Sequence, residues 1–195
     1  VILLAIFGPM LTPYEYDEYA GAPYSPPSRQ HLFGTNIMGQ DVFTMTVYGL
    51  RTTLIVGLIA GTIATIIGCV VGFLAGYYGG SWFDEILMRL TNIFVVIPQL
   101  ALLIILSAFL EVRGIMVMSI IVSATAWPWL ARAVRAQTLS LRNQEYVNLS
   151  RISSLKVPRI LREDIASNMF SYIFMSYILQ FNGTMLATVQ LEFLG

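Results

Sequence analysis

Thr52 to Phe83 is a run of thirty-two residues without an Asp, Glu, Lys or Arg. About 20 such residues suffice to cross roughly 30 Å of hydrocarbon as a helix. Lipid offers backbone groups no hydrogen bonds, so a segment immersed in it must satisfy them internally, here as a helix. Three further uncharged stretches follow, at Leu90–Leu110, Gly114–Ala131 and Ile165–Leu191. The opening Val1–Met10 is apolar but too short to span; with no basic flank and no cleavage-site pattern it reads as the outer half of a helix begun upstream, not as a signal peptide. Composition agrees: 56% of residues are hydrophobic, 11% are charged and mean hydropathy is +0.72, against about 25% charged in soluble domains. The expected fold class is therefore all-α, a polytopic transmembrane helical bundle.

The sequence divides into one membrane domain: 1–12 the end of a first span, 13–50 an outer loop with an interfacial helix, 51–80 a second span and 90–110 a third. A fourth follows at 114–131, then a 132–164 loop and a fifth span at 165–191. Pro13, Pro23, Pro26 and Pro27 forbid regular helix in the first loop. Seven of the 11 basic residues lie between Arg132 and Arg162, so the positive-inside rule puts the 132–164 loop in the cytoplasm. The 13–50 loop, with Glu15, Asp17 and Glu18 and Arg29 as its sole internal cation, goes outside. Parity agrees, with Ser81–Arg89 inside and Glu111–Arg113 outside.

Several chemistries are excluded. Formal charge is zero, which argues against nucleic-acid binding. No Gly-x-x-x-x-Gly-Lys pattern is present, so the chain holds no ATP by the Walker mechanism. His31 is the only histidine and Cys69 the only cysteine; neither makes a metal site, and Cys69 reads as a small packing residue. The complete spans have no ionisable interior residue, whereas proton-coupled carriers keep one. No catalytic, cofactor or metal residue is expected.

Three features point to mechanism. Among Gly57, Gly61, Gly68, Gly72 and Gly76 of the second span, the pairs 57/61, 68/72 and 72/76 are four apart, so each pair lies on one helix face, which suits close helix packing or a sliding interface. Pro98, flanked by Asn92 and Gln99, kinks the third span, and these three are candidates for lining a pathway. The 132–164 loop reads as an amphipathic helix–turn–helix, with Val134, Thr138, Leu141, Val147 and Ile152 near helical spacing. On pattern alone it either docks in a soluble partner's groove or lies on the inner leaflet through its arginines.

The sequence resembles the inner-membrane permease subunits of binding-protein-dependent ABC importers, in the dipeptide, oligopeptide and nickel branch. His31-Leu32-Phe33-Gly34-Thr35-Asn36 with Gly39-Gln40-Asp41-Val42 and Tyr48–Leu54 is similar to the family's outer approach to its second helix. Gly76–Gly80 with Asp84–Arg89 and Ile97-Pro98 is a second match. Arg135–Arg142 with Glu145-Tyr146-Val147, Arg159-Ile160 and Asn168 is similar to its cytoplasmic signature loop. The resemblance implies an ABC type I importer permease fold, with the first span partial and the last span absent from these residues. It implies a non-catalytic subunit in the prokaryotic inner membrane, forming half of a pathway beside a second permease. Its other partners would be two ATPase subunits that bind the ATP, an extracytoplasmic binding protein and membrane lipid. Coupling to the ATPase would fall to Glu145, Tyr146, Val147, Leu149, Ser150, Arg151, Ser154, Leu155 and Val157. Arg135, Arg142 and Arg151 would position the loop against acidic partner residues or lipid. Di- or oligopeptides are the default cargo, with oligosaccharide or nickel as alternatives. A secondary transporter, a channel or a membrane scaffold remain the readings from other classes.

Departures from the family pattern mark a divergent member. Asn148-Leu149-Ser150 stands for its Glu-Ala-Ala run, Ser154 for a glycine and Ser167 for a proline, and Asn36 and Gln40 where Asp and Arg are common. Ser154 bears on the turn of the coupling loop, because glycine tolerates positive φ and serine does so poorly.

Overall fold

A computed structural model describes residues 2–109 and 114–194. The expected outer turn at Glu111–Arg113, the end of the 90–110 span at Leu110, and Val1 and Gly195 lie outside the described residues. Eight α-helices and one π-helical turn make up the described chain: α1 Ile2–Leu11, α2 Val42–Tyr77, α3 Trp82–Val96, α4 Gln99–Phe109, α5 Ile115–Leu141, α6 Glu145–Ile152, α7 Val157–Ile160, the π turn Leu161–Ala166, and α8 Phe170–Leu194. Among the described residues the sole β element is the isolated bridge Thr35–Asp41.

The chain separates into two compact units, 1–55 and 56–195, with the division falling inside α2. In the first unit, α1 approaches the start of α2 at Gly8, where an added Cβ would lie 2.5 Å from Val47. The segment between these helices is ordered by its own hydrogen bonds. The Asn36 carboxamide oxygen accepts from the backbone N–H of Met38 and Gln40 at 2.8 and 3.0 Å. Gly34 and Gly39 hold φ of 75° and 72°. The Asp41 carboxylate caps α2, accepting from the Thr44 N–H at 2.8 Å and the Thr44 hydroxyl at 2.9 Å, and lies 3.1 Å from His31 Nδ1. Burial pushes the Asp41 carboxyl up, but the Thr44 bonds and the His31 imidazole outweigh it and leave it below the ordinary carboxylate range. His31, stacked on Tyr14, is thus a structural partner of a helix cap.

The second unit is a helical bundle in which α5 packs against α3, α4 and α8. One cluster joins Ala60 of α2, Leu103 of α4, Ile121 and Val122 of α5, and Ala187 and Leu191 of α8. Gly57 and Gly61 of α2 meet Met185 and Phe181 of α8, while Gly68, Gly72 and Gly76 meet Leu130, Val134 and Thr138 of α5. The small-residue face is therefore filled within this chain: glycine lets α2 lie against two helices at backbone distance.

The helices differ in extent from the uncharged stretches at three places. The 90–110 span is not one helix: α3 and α4 meet at 87°. Pro98 has no N–H to donate and pushes the preceding residue out of the helical region; Ile97 sits at φ −76°, ψ 126°. Past the 114–131 stretch, α5 runs on without a break to Leu141. Arg132 only looks like an end: 132–141 contains no Gly or Pro, and its arginines bond to neighbouring helices. At about 1.5 Å per residue, the 27 residues of α5 are longer than the roughly 30 Å hydrocarbon core of a bilayer. Lastly, α8 begins at Phe170, the preceding Leu161–Ala166 being the π turn. Among the described residues two helices, α2 and α5, are long and apolar enough to cross a membrane, and three if the bent pair counts as one. α8 has the length but carries Gln180 and Asn182 in its middle; the Gln180 amide donates to the Ala126 carbonyl at 2.7 Å.

Candidate functional site

The segment after α5 combines an apolar underside with an unpartnered outer face. α6 buries Val147 completely, with Leu130 and Val134 of α5 and with Ile160, Ile165 and Met169 beyond it; Leu141 and Leu155 border the same cluster. Its other apolar side chains, Tyr146, Leu149 and Ile152, recur every third residue and point outward, Leu149 at 64% and Ile152 at 80% exposure. Glu145 stands in the first turn and Arg151 in the last, a placement that suits the helix dipole.

The turn that ends α6 explains how Ser154 serves where glycine was expected. Ser154 sits at φ 57°. Its N–H donates to the Arg151 carbonyl at 3.0 Å, and that of Leu155 to the Ser150 carbonyl at 3.2 Å. This is the paired closure of a Schellman cap with Ser154 in the left-handed position. Leu155 then turns back toward the cluster. The chain keeps the glycine geometry and carries the strain of a side chain there.

Of the nine residues expected to meet a partner, Glu145, Tyr146, Leu149, Arg151 and Ser154 are exposed, and Ser150, Leu155 and Val157 are half-buried. Val147 is the correction: it belongs to the core, because the helical period that turns Tyr146 and Leu149 outward turns residue 147 inward. Val157 also borders an apolar groove of about 490 Å³ with Phe73, Leu74, Tyr78 and Leu161.

The arginines of this region also differ from expectation, since they bind the chain itself. Arg135 grips Asp84 with Nε and Nη2, both at 2.6 Å. Arg142 Nη1 donates to the carbonyls of Tyr77 and Gly79 at 3.1 and 2.9 Å, and more distantly to Gly76 at 3.4 Å, which satisfies the carbonyls at the end of α2. The Arg151 guanidinium lies 4.9 Å from the centre of the Tyr77 ring. Asp84 was missed as a site residue. It was legible as a carboxylate beside a long uncharged run, for which a buried position demands a cation. Glu163 pairs with Arg159 at 2.8 Å and Arg162 at 3.0 Å, and those guanidinium groups hold its carboxyl below the ordinary range.

The three pathway candidates lie near the α3–α4 break. Asn92 accepts from Arg132 Nη2 at 2.6 Å and borders a cavity of about 460 Å³ with Arg89, Ile93, Val96 and Ile97. Pro98 and Gln99 are exposed, Gln99 reaching the Thr125 hydroxyl only at 3.4 Å. Among the described residues no group of three or more His, Cys, Asp or Glu could hold a metal ion.

The sequence is similar to those of known proteins. The family model described as the binding-protein-dependent transport system inner membrane component matches residues 68–195. The chain is 35% identical to the oligopeptide transport system permease protein OppC of Bacillus subtilis, over all of this chain and 64% of that protein. It is 36% identical to the dipeptide transport system permease protein DppC of the same organism, over all of this chain and 61% of that protein. The DppC of Alkalihalophilus pseudofirmus is 36% identical, with 64% of its length covered. The chain thus spans somewhat less than two thirds of these relatives.

Proposed function

The chain belongs to the family of binding-protein-dependent transport system inner membrane components, and from that premise we propose that it is the membrane-spanning permease subunit of an ATP-driven importer of di- or oligopeptides. It forms half of the pathway beside a second permease, receives cargo from an extracytoplasmic binding protein, and is driven by two cytoplasmic ATPase subunits. It catalyses nothing itself. The peptide cargo is carried over from the relatives named for oligopeptide and dipeptide transport.

The observation that supports coupling through α6 is its two-sidedness. Val147 anchors the helix to its own bundle, while Tyr146, Leu149 and Ile152 remain uncovered outside it. Helix-in-groove recognition reads such a stripe. When ATP draws the two ATPases together, each pulls its α6, and the anchored bundle turns with it and changes the side to which the pathway opens. The arginine-rich flanks support a cytoplasmic position for this segment.

Co-purification tests the reading. Leu149→Asp with Ile152→Asp puts charge on the outer stripe and spares the core, so the permease should stay folded and lose its ATPase. A fully retained ATPase would reject α6 as the docking element.

A further inference from the structure

We infer that Asp84 and Arg135 are positioning residues, a clasp through which displacement of α6 is carried into α3 and the break at Pro98; the inference rests on the coupling role proposed above. α6 packs on α7 and the π turn, and its buried Val147 meets Leu130 and Val134 of α5. Motion applied to α6 therefore enters the bundle through α5. The pathway candidates Asn92 and Pro98 stand on or beside α3, so the link between α5 and α3 decides whether that motion reaches them.

That link is polar at two points on one face of α5. Arg135 holds Asp84 through two bonds of 2.6 Å, and Arg132, one turn earlier, holds Asn92. The two are unequal. Asp84 is 3% exposed, and the same carboxylate accepts the Gly80 N–H at 2.9 Å, while the Asp84 N–H donates to the Ser81 hydroxyl that caps α3. One carboxylate thus joins α5, the turn out of α2 and the first turn of α3. A forked guanidinium–carboxylate pair fixes orientation as well as distance, which apolar packing between smooth helices does not. At its far end α3 meets Pro98, where the chain turns 87°. A rotation of α3 about the clasp moves that corner.

Asp84→Asn keeps size and shape but weakens the pair, Arg135→Gln removes the fork, and the double variant closes a mutant cycle. The complete importer would be reconstituted in nanodiscs with spin labels at Ile93→Cys of α3 and Leu179→Cys of α8, in a Cys69→Ala background. The label separation is then measured without nucleotide and with ATP trapped by vanadate. The expected result is that each single variant retains its ATPase subunits and ATP hydrolysis but loses most of the ATP-dependent change in separation, and that the double variant loses no more than either single, as for two halves of one link. A full change in the single variants, additive losses in the double, or loss of the ATPase subunits would each overturn the clasp while leaving the coupling role of α6 standing. If the unsubstituted protein holds no ATPase, the coupling role fails and the clasp with it.

Discussion

Ser154 concentrates the tension between sequence and geometry in this chain. Its φ of 57° places a Cβ where the following carbonyl crowds it, at a cost of roughly 1–2 kcal/mol. The Schellman closure of α6 leaves no choice, because Leu155 must return to the core. Ser154→Gly removes that strain, and the greater freedom of glycine in the unfolded chain offsets part of the gain. The net expectation is a more stable α6 and following turn by about 0.5 kcal/mol, seen as slower amide exchange over 145–155. Faster exchange in the glycine variant would mean that the serine side chain contributes more than it strains. From sequence, the departure at Ser154 signalled a turn under constraint but not which conformation would win. That was decided by Val147 and Leu155, two apolar residues on either side of the turn that share one core.

At the scale of the element, the glycine face of α2 carries the sharpest test. A Cβ at Gly72 would stand 2.7 Å from the Ala131 carbonyl oxygen and from Val134 Cβ, and backbone cannot yield as a flexible side-chain tip does. Gly72→Ala should destabilise by about 1–3 kcal/mol through overpacking. Gly183, on the open side of α8 with nothing within 4 Å, is the control: Gly183→Ala should be neutral or stabilising by up to about 1 kcal/mol, since alanine is the better helix former. Thermal unfolding of both variants in detergent compares them, and equal melting points would show that α2 and α5 separate easily enough to admit a methyl group. The existence of this face was legible from the four-residue spacing of Gly57/Gly61, Gly68/Gly72 and Gly72/Gly76. What it met was not, because spacing within one helix carries no information about its neighbour. The α3–α4 corner was half legible in the same sense: Pro98 announced an interruption, but not the angle of 87° or the burial of Leu103 of α4 in the core. The helical pattern of 132–141 was legible as well, but not what its arginines meet. Arg132 and Arg135 look solvent-bound in a linear reading, and only the fold supplies the Asn92 and Asp84 that receive them.

For the whole molecule, the membrane architecture was the most legible property, since absence of charge over Thr52–Phe83 needs no tertiary information, whereas sidedness rests on where cations cluster. Eleven basic and eleven acidic residues cancel overall, yet Arg132 to Arg162 holds seven of the former. The structure qualifies that count. Arg132, Arg135 and Arg142 are engaged by Asn92, Asp84 and the α2 carbonyls, but such pairing follows folding, and the positive-inside bias acts as helices insert. The proposed orientation therefore still rests on the whole cluster. Single cysteines at Asn143 and Leu149, both exposed, in a Cys69→Ala background, should react with a membrane-impermeant maleimide only when it reaches the cytoplasmic side, as in inside-out vesicles. A cysteine at Tyr24, exposed in the loop that carries Glu15, Asp17 and Glu18, should react in intact cells stripped of their outer envelope. Adding the cytoplasmic ATPase fraction should then protect Leu149→Cys and leave Asn143→Cys, outside the α6 stripe, reactive. Labelling of Leu149→Cys from the exterior would reverse the topology and remove the physical basis for an ATP-driven partner at α6, because no cytoplasmic motor could touch it.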